Sequence, residues 1–201
     1  MSWPTAIPTA REKTLIRRRL AHQPPGTVAL CQDEMLLREF PPLRAAWALR
    51  GQQAVVPLSG SNARRVLFGV LNWQTGHVIQ LVRPHNRTAD FAAFLHHLRA
   101  CYRRWRRLLV LLDRGPSHEA KAIAPLAQAL NIHFCWLPTA CPELNPIEHL
   151  WRPLKQQVAA NRCEPTIDRL AQRAMDWLDA QTPTDRLRYA GTRSKNFWLP
   201  T

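Results

Sequence analysis

Apolar residues fall along the chain in two kinds of pattern. Short runs occupy Thr27 to Gln32 (TVALCQ), Arg65 to Asn72 (RVLFGVLN), His77 to Val82, Leu108 to Leu112 (LLVLL) and Ile132 to Leu137. Each reads as a strand by length and composition. Gln74-Thr75-Gly76 marks a turn between the second and third, which therefore form a hairpin. The run Leu108–Leu112 has no polar interruption and suits a central strand buried on both faces. Elsewhere the spacing is helical. From Thr88 onward Phe91, Phe94, Leu95, Leu98, Tyr102 and Trp105 recur every three or four residues, with Thr88 placed to cap and Asp90 near the positive helix start. Residues 117–130 read as a second helix capped by Ser117, about 146–160 as a third and 167–179 as a fourth. A short helix over 10–21 fits between prolines at 4, 8, 24 and 25. Residues 35–60 hold Pro41, Pro42, Pro57 and Gly60 and read as loops and short extended pieces, and the last twenty residues show no clear regularity.

The order is strand, hairpin, helix, strand, helix, strand, helix, helix. Its natural solution is an α/β fold, a mixed sheet with helices on both faces. A length of 201 residues suits one domain, alone or with a terminal appendage. No apolar run reaches the ~18 residues of a membrane span, and the N-terminus does not read as a secretory signal. The expected location is cytoplasmic, at the nucleoid when bound to DNA. The five cysteines (31, 101, 135, 141 and 163) are odd in number and contain no CxxC pair, which argues against a disulfide framework.

Charge changes the picture most. Lys plus Arg is 28 against 14 Asp plus Glu, a net of +14, and arginine supplies most of it. Arginine makes bidentate contacts to phosphate, and a basic surface draws a protein onto nucleic acid without reading sequence. The arginines at 99, 103, 106 and 107 lie mostly off the apolar stripe of their helix, as a solvated face or as DNA contacts.

Against this basic background, acids in unusual places stand out. Asp33 and Asp113 each follow an apolar strand, where ligand sites of α/β sheets gather. On neighbouring strands their carboxylates repel one another, and a divalent cation relieves that. Glu148 supplies a third acid from the first turn of the helix opened by Asn145-Pro146. Two metal ions held by such carboxylates can activate an attacking oxygen and stabilise a leaving one at a phosphodiester. Each acid also has an ordinary structural reading. Asp33 can cap a turn, Asp113 can open the turn DRGP, and Asn145, Pro146 and Glu148 match a capping box. Glu34 competes with Asp33, because strand alternation sends neighbouring side chains to opposite faces.

CQDE at 31–34, SNARRVLFGVLN at 61–72, LLDRGPSH at 111–118 and LPTACPELNPIEHLW at 137–151 resemble the IS630 group of insertion-sequence transposases, within the IS630/Tc1/mariner superfamily of DDE enzymes. Asp113 and Glu148 are separated by 34 residues, the spacing of that superfamily's second and third acids. The resemblance covers about residues 27–160. It implies an RNase H-like fold, dependence on Mg²⁺ or Mn²⁺ (two ions), nicking at transposon ends, and strand transfer by the freed 3′-hydroxyl into double-stranded target DNA. It places catalysis and metal binding on Asp33, Asp113 and Glu148. His118, Asn145 and Arg114 become orienting residues, and Arg64, Arg65, Arg152 and Lys155 DNA contacts. Arg114 stands where the superfamily often has Asn. Residues 1–26 form a basic lead, too short for the helix-turn-helix domain of full-length relatives, and 161–201 a C-terminal helical extension. A separate helix-turn-helix partner chain and a dimer on DNA are therefore expected, with no membrane partner. The alternatives are a catalytically inactive DNA-binding remnant and another RNase H-like nuclease.

Overall fold

The computed structural model describes residues 9–45, 47–52, 55–56, 58 and 60–200. The first eight residues of the basic lead, with Pro4 and Pro8, lie outside them, as does Pro57. Five strands form one sheet in the order β3-β2-β1-β4-β5. They are β1 (Thr27–Arg38), β2 (Arg64–Leu71), β3 (Val78–Arg83), β4 (Arg107–Leu112) and β5 (Ile132–Trp136). Neighbours β1, β2 and β3 are antiparallel, while β4 and β5 run parallel to β1. The sheet is thus mixed and five-stranded, with helices on both faces, as the pattern of the sequence requires.

Alternation along β1 assigns the two cores. Cys31, Met35 and Leu37 join the larger one, beneath helices α1 (Ala10–Ala21), α4 (Pro146–Leu154) and α5 (Ile167–Ala180). Val28 and Leu30 face the smaller one, beneath α2 (Thr88–Cys101) and α3 (Ile123–Ala129). There Phe68 of β2 stacks on Phe94 of α2 at 5.5 Å between centroids. Such fully buried side chains each stabilise the fold by roughly 1.5–3 kcal/mol.

Several elements differ from the reading of the sequence, each for a physical reason. Strand β1 does not stop at Asp33 but continues to Arg38, because β2 pairs with it along that whole stretch. Asp33 is therefore mid-strand, opposite Gly69. Helix α2 ends at Cys101, so Tyr102 caps it and Trp105 lies beyond. Arg87 rather than Thr88 is its N-cap, and the Arg87 amide donates to the Asp90 carboxylate (3.3 Å). Residues 116–118 form a turn, and helix α3 starts only at Ile123. Pro125 then sits in its first turn, where a missing N–H costs nothing. Helix α4 carries Pro153 and passes into a π-turn over Lys155–Ala159. Finally, α6 (Pro183–Tyr189) lies in the segment without evident regularity, capped by the Thr182 side chain, which accepts from the Asp185 amide.

Helix α4 crosses β1 and β2 closely at one place. A Cβ on Gly69 would lie 2.5 Å from the Trp151 ring and 3.3 Å from Ile147. Both side chains are fully buried and cannot give way. Gly69→Ala should therefore lower stability by about 1–3 kcal/mol, read as a reduced urea midpoint. An unchanged midpoint would show that α4 does not sit on this part of the sheet.

Candidate active site

Strand β4 is hydrogen-bonded to β1 only as far as the pair Cys31–Leu111. Asp113 follows directly on the last residue of β4, Leu112, and faces the same cleft as Asp33. Beyond that point β1 runs on without β4, and the start of α4 covers the step. Asp33, Asp113 and Glu148 line the resulting cleft together with Arg114, Asn145 and the loop Leu137–Pro142.

The two faces of β1 separate the acids at 33 and 34. Asp33 shares its face with Cys31 and Met35, under α4, and is 9% exposed. The indole N–H of Trp151 donates to Asp33 Oδ2 at 2.7 Å. Burial pushes the Asp33 carboxyl well above the usual range, and the charges of Glu148 and Glu34 push it further. The Glu34 backbone N–H and the Trp151 indole act in the opposite direction. Glu34 lies on the other face, away from the cleft. It accepts from His118 Nε2 (2.6 Å) and Gln32 Nε2 (3.2 Å).

His118 bridges the two faces. Its Nδ1 lies 3.1 Å from Asp113 Oδ1 and 3.2 Å from the Asp113 carbonyl oxygen. Its ring packs against Phe91 at 4.4 Å between centroids. Burial alone would lower the His118 pKa, but the hydrogen bonds and charges of Asp113 and Glu34 outweigh it and raise the value to about 10. At neutral pH the imidazolium donates from both nitrogens, tying the exposed Asp113 side chain to the part-buried Glu34.

The capping box does not form. Asn145 is the N-cap of α4 without a side-chain capping bond. Its amide instead donates to the Gln32 carbonyl at 2.8 Å, pinning the start of α4, and so Glu148, to the middle of β1. Arg114 lines the cleft while paired with Glu119 (2.8 Å) and set over the Trp136 ring (5.4 Å). Arg152 and Lys155 line a larger groove of about 1120 Å³ that shares Pro142 and Glu148 with the cleft. Arg64 and Arg65 are not brought to either. Arg64 is exposed at the start of β2, and Arg65 pairs with Asp168 of α5 at 2.8 Å.

Among the described residues, no three His, Cys, Asp or Glu side chains stand close enough together to form a metal-ligand set. The donors around the cleft nonetheless suit a hard cation. They are carboxylate oxygens, Asp33 and Glu148 repel one another, and the buried Asn145 Oδ1 has no hydrogen-bond donor. Trp151 and Gly69 escaped the sequence reading. Trp151 lies one helical turn past Glu148 on the same face, and that spacing was the available signal.

Residues 28–171 match a family model described as DDE superfamily endonuclease. The chain belongs to this family. Over 153 residues it is 26% identical to the insertion element IS630 uncharacterized 39 kDa protein of Shigella sonnei, covering 76% of the chain and 45% of that relative. It is 34% identical over 50 residues to the Tc1 transposase of Caenorhabditis elegans, 25% of the chain and 18% of the transposase. The chain thus spans less than half the length of these relatives. Among solved structures, a Mos1 transposase paired-end complex with the left transposon end superposes with a TM-score of 0.70 at 16% identity, covering 98% of the chain and 63% of the transposase. The Mos1 catalytic domain alone gives 0.64 at 17% identity, covering 94% and 91%. At these identities the likeness concerns the fold, which is RNase H-like. Paired-end complexes of that transposase have been solved with Mg and with Mn.

Two outcomes follow. The folded pKa of His118 lies above the ordinary value of ~6.5. Its ion pairs therefore contribute fully below that pH and are lost as pH rises through about 10. In metal-free protein His118→Gln should remove this alkaline loss and lower the urea midpoint at neutral pH. A variant with wild-type stability from neutral pH to 10 would contradict the bridge. Trp151→Phe keeps a ring against Gly69 but deletes the donor to Asp33, which raises the Asp33 pKa further. The pH at which Mn²⁺ first produces a thermal shift should then move upward relative to wild type. No movement would show that the indole does not tune Asp33.

Proposed function

We propose that this chain is the catalytic part of a DDE transposase, which nicks DNA at transposon ends and joins the freed 3′-hydroxyl to target DNA. The observation that carries this reading is the convergence of Asp33, Asp113 and Glu148 on one cleft, with the Asp33 carboxyl held up by burial and by the charge of Glu148. These residues would hold Mg²⁺ or Mn²⁺, as two ions. Bound there, the metal would activate the attacking oxygen and stabilise the leaving one.

The chain's own residues prepare that chemistry. Trp151 fixes one oxygen of Asp33, leaving the other for a ligand. His118 orients Asp113, which stands 63% exposed at the cleft edge. Asn145 ties the helix bearing Glu148 to β1. Arg152 and Lys155 place positive charge in the groove that continues from the cleft, suited to the phosphates of double-stranded DNA. In this reading residues 27–160 are the catalytic domain, flanked by the lead 1–26 and the helical extension 161–201. A helix-turn-helix module, on a separate chain or joined to this one, would supply end recognition, and synapsis of two ends would require at least two copies.

The test is nicking of supercoiled plasmid by the purified chain in Mg²⁺, Mn²⁺ or EDTA, beside Asp113→Asn. Nicking should require metal and fall at least about 100-fold in the variant. Equal cutting by the variant would sink the assignment. Binding without cutting in either metal, even with the recognition domain added in trans, would identify a DNA-binding remnant.

A further inference from the structure

Far from the carboxylate cleft, His96, Arg99, Arg103, Trp105, Arg106 and Asn131 line a concave surface of about 530 Å³. It lies at the opposite end of the sheet, where α2 has ended and β4 and β5 begin. Strand β4 separates it from Asp113 by about 20 Å, at ~3.3 Å per residue.

Three observations mark it. First, its charge is uncompensated. Arg65, Arg83, Arg114, Arg173 and Arg188 each meet a carboxylate. Among the described residues none of the arginines at 99, 103, 104, 106 and 107 has an ion pair, and the stretch 91–112 contains no Asp or Glu. Crowding like charges around a concavity costs stability that a bound polyanion recovers. Second, one cation is fixed in advance. Arg99 donates to the Tyr102 carbonyl and, at 2.7 Å, to that of Trp105, which holds the turn after α2 in shape. Third, Trp105 sits amid these arginines and is 41% exposed. An exposed indole on a surface lined by arginines matches what an unpaired base requires, a stacking face beside phosphate-binding cations. In a duplex the bases already stack on one another and offer no free face to such a ring.

We propose that this surface is a second nucleic-acid site, which binds a single DNA strand by phosphate contacts to Arg103 and Arg106 and by base stacking on Trp105. The site rests on its own geometry and deepens the transposase reading by giving an unpaired strand a place away from the cleft.

The test measures binding of a labelled single strand of about 20 nucleotides, and of the matching duplex, by fluorescence anisotropy in EDTA across about 50–200 mM salt. Trp105→Ala should weaken single-strand binding roughly 5- to 150-fold and leave the duplex nearly unaffected. Arg103→Ala with Arg106→Ala should flatten the salt dependence of single-strand binding by about 1.4 in slope, at ~0.7 per phosphate contact. Arg193→Ala with Lys195→Ala, which removes equal charge from exposed positions elsewhere, should do neither. Circular dichroism confirms that each variant is folded. Wild-type binding by Trp105→Ala, equal loss for single strand and duplex, or equal loss in the control pair would overturn the proposal. Metal-dependent plasmid nicking should persist in Trp105→Ala, and Asp113→Asn should still bind the single strand. Failure of this site and failure of the cleft assignment therefore give different results.

Discussion

Strands β1 and β4 run parallel but part company early, and that step organises the whole molecule. Their hydrogen bonds end at Cys31 and Leu111, whereas β2 accompanies β1 to Arg38. A sheet that lost both neighbours at once would expose unpaired backbone. With one neighbour retained, β1 can carry Asp33 at a fully ordered position beside open space. The start of α4 fills the step from above and Asp113 closes it from the side. All three acids thus reach the cleft from elements whose backbones are held rigidly elsewhere.

Charge balance around the step is asymmetric. Asp33 sits in apolar surroundings with one indole donor and two acidic neighbours, so its ionised form is disfavoured. Asp113 stands in water at the cleft edge, 63% exposed, where nothing but a tether would hold its side chain in one place. His118 supplies that restraint, and Asp113 and Glu34 together favour its protonated form. Two adjacent residues of one strand therefore shape one cleft by different routes, Asp33 as part of its wall and Glu34 through His118 on the opposite face. This division follows from the period of two along a strand.

Much of this was legible in the residues. Asp113 is conspicuous because five apolar residues precede it, and Glu148 because Asn145-Pro146 opens its helix. The choice between Asp33 and Glu34 could be framed by alternation but not decided, since deciding it requires knowing which face α4 covers. The end of β1 is hidden in the sequence because Leu36, 39% exposed, is apolar like the buried Met35 and Leu37 beside it, so the alternation of a strand covered on one face does not show. The helix read from Ser117 fails because His118 is drawn between Glu34 and Asp113, a tertiary demand that no local pattern announces. The role of Asn145 was hidden similarly. Its sequence context fits a cap, yet its partner is a carbonyl more than a hundred residues away. Helix α6 lies where the apolar spacing is irregular, and only Thr182-Pro183 and Asp185, an N-cap and first turn of ordinary composition, mark its start.

The connections of the sheet differ in how freely they can change length. The β2–β3 turn is clamped: Gly76 has φ +75°, a Cβ there would meet the Pro183 carbonyl at 2.3 Å, and Arg186 donates to the Gly76 oxygen. An inserted residue would lift α6 from the hairpin. The connection after Arg38 is different, since its described residues include Leu43, Trp47 and Leu49, all well exposed. There a doubling of loop length costs only about 0.6 kcal/mol in closure entropy. Over evolutionary time, insertions and deletions should therefore collect between β1 and β2, while the hairpin keeps its length.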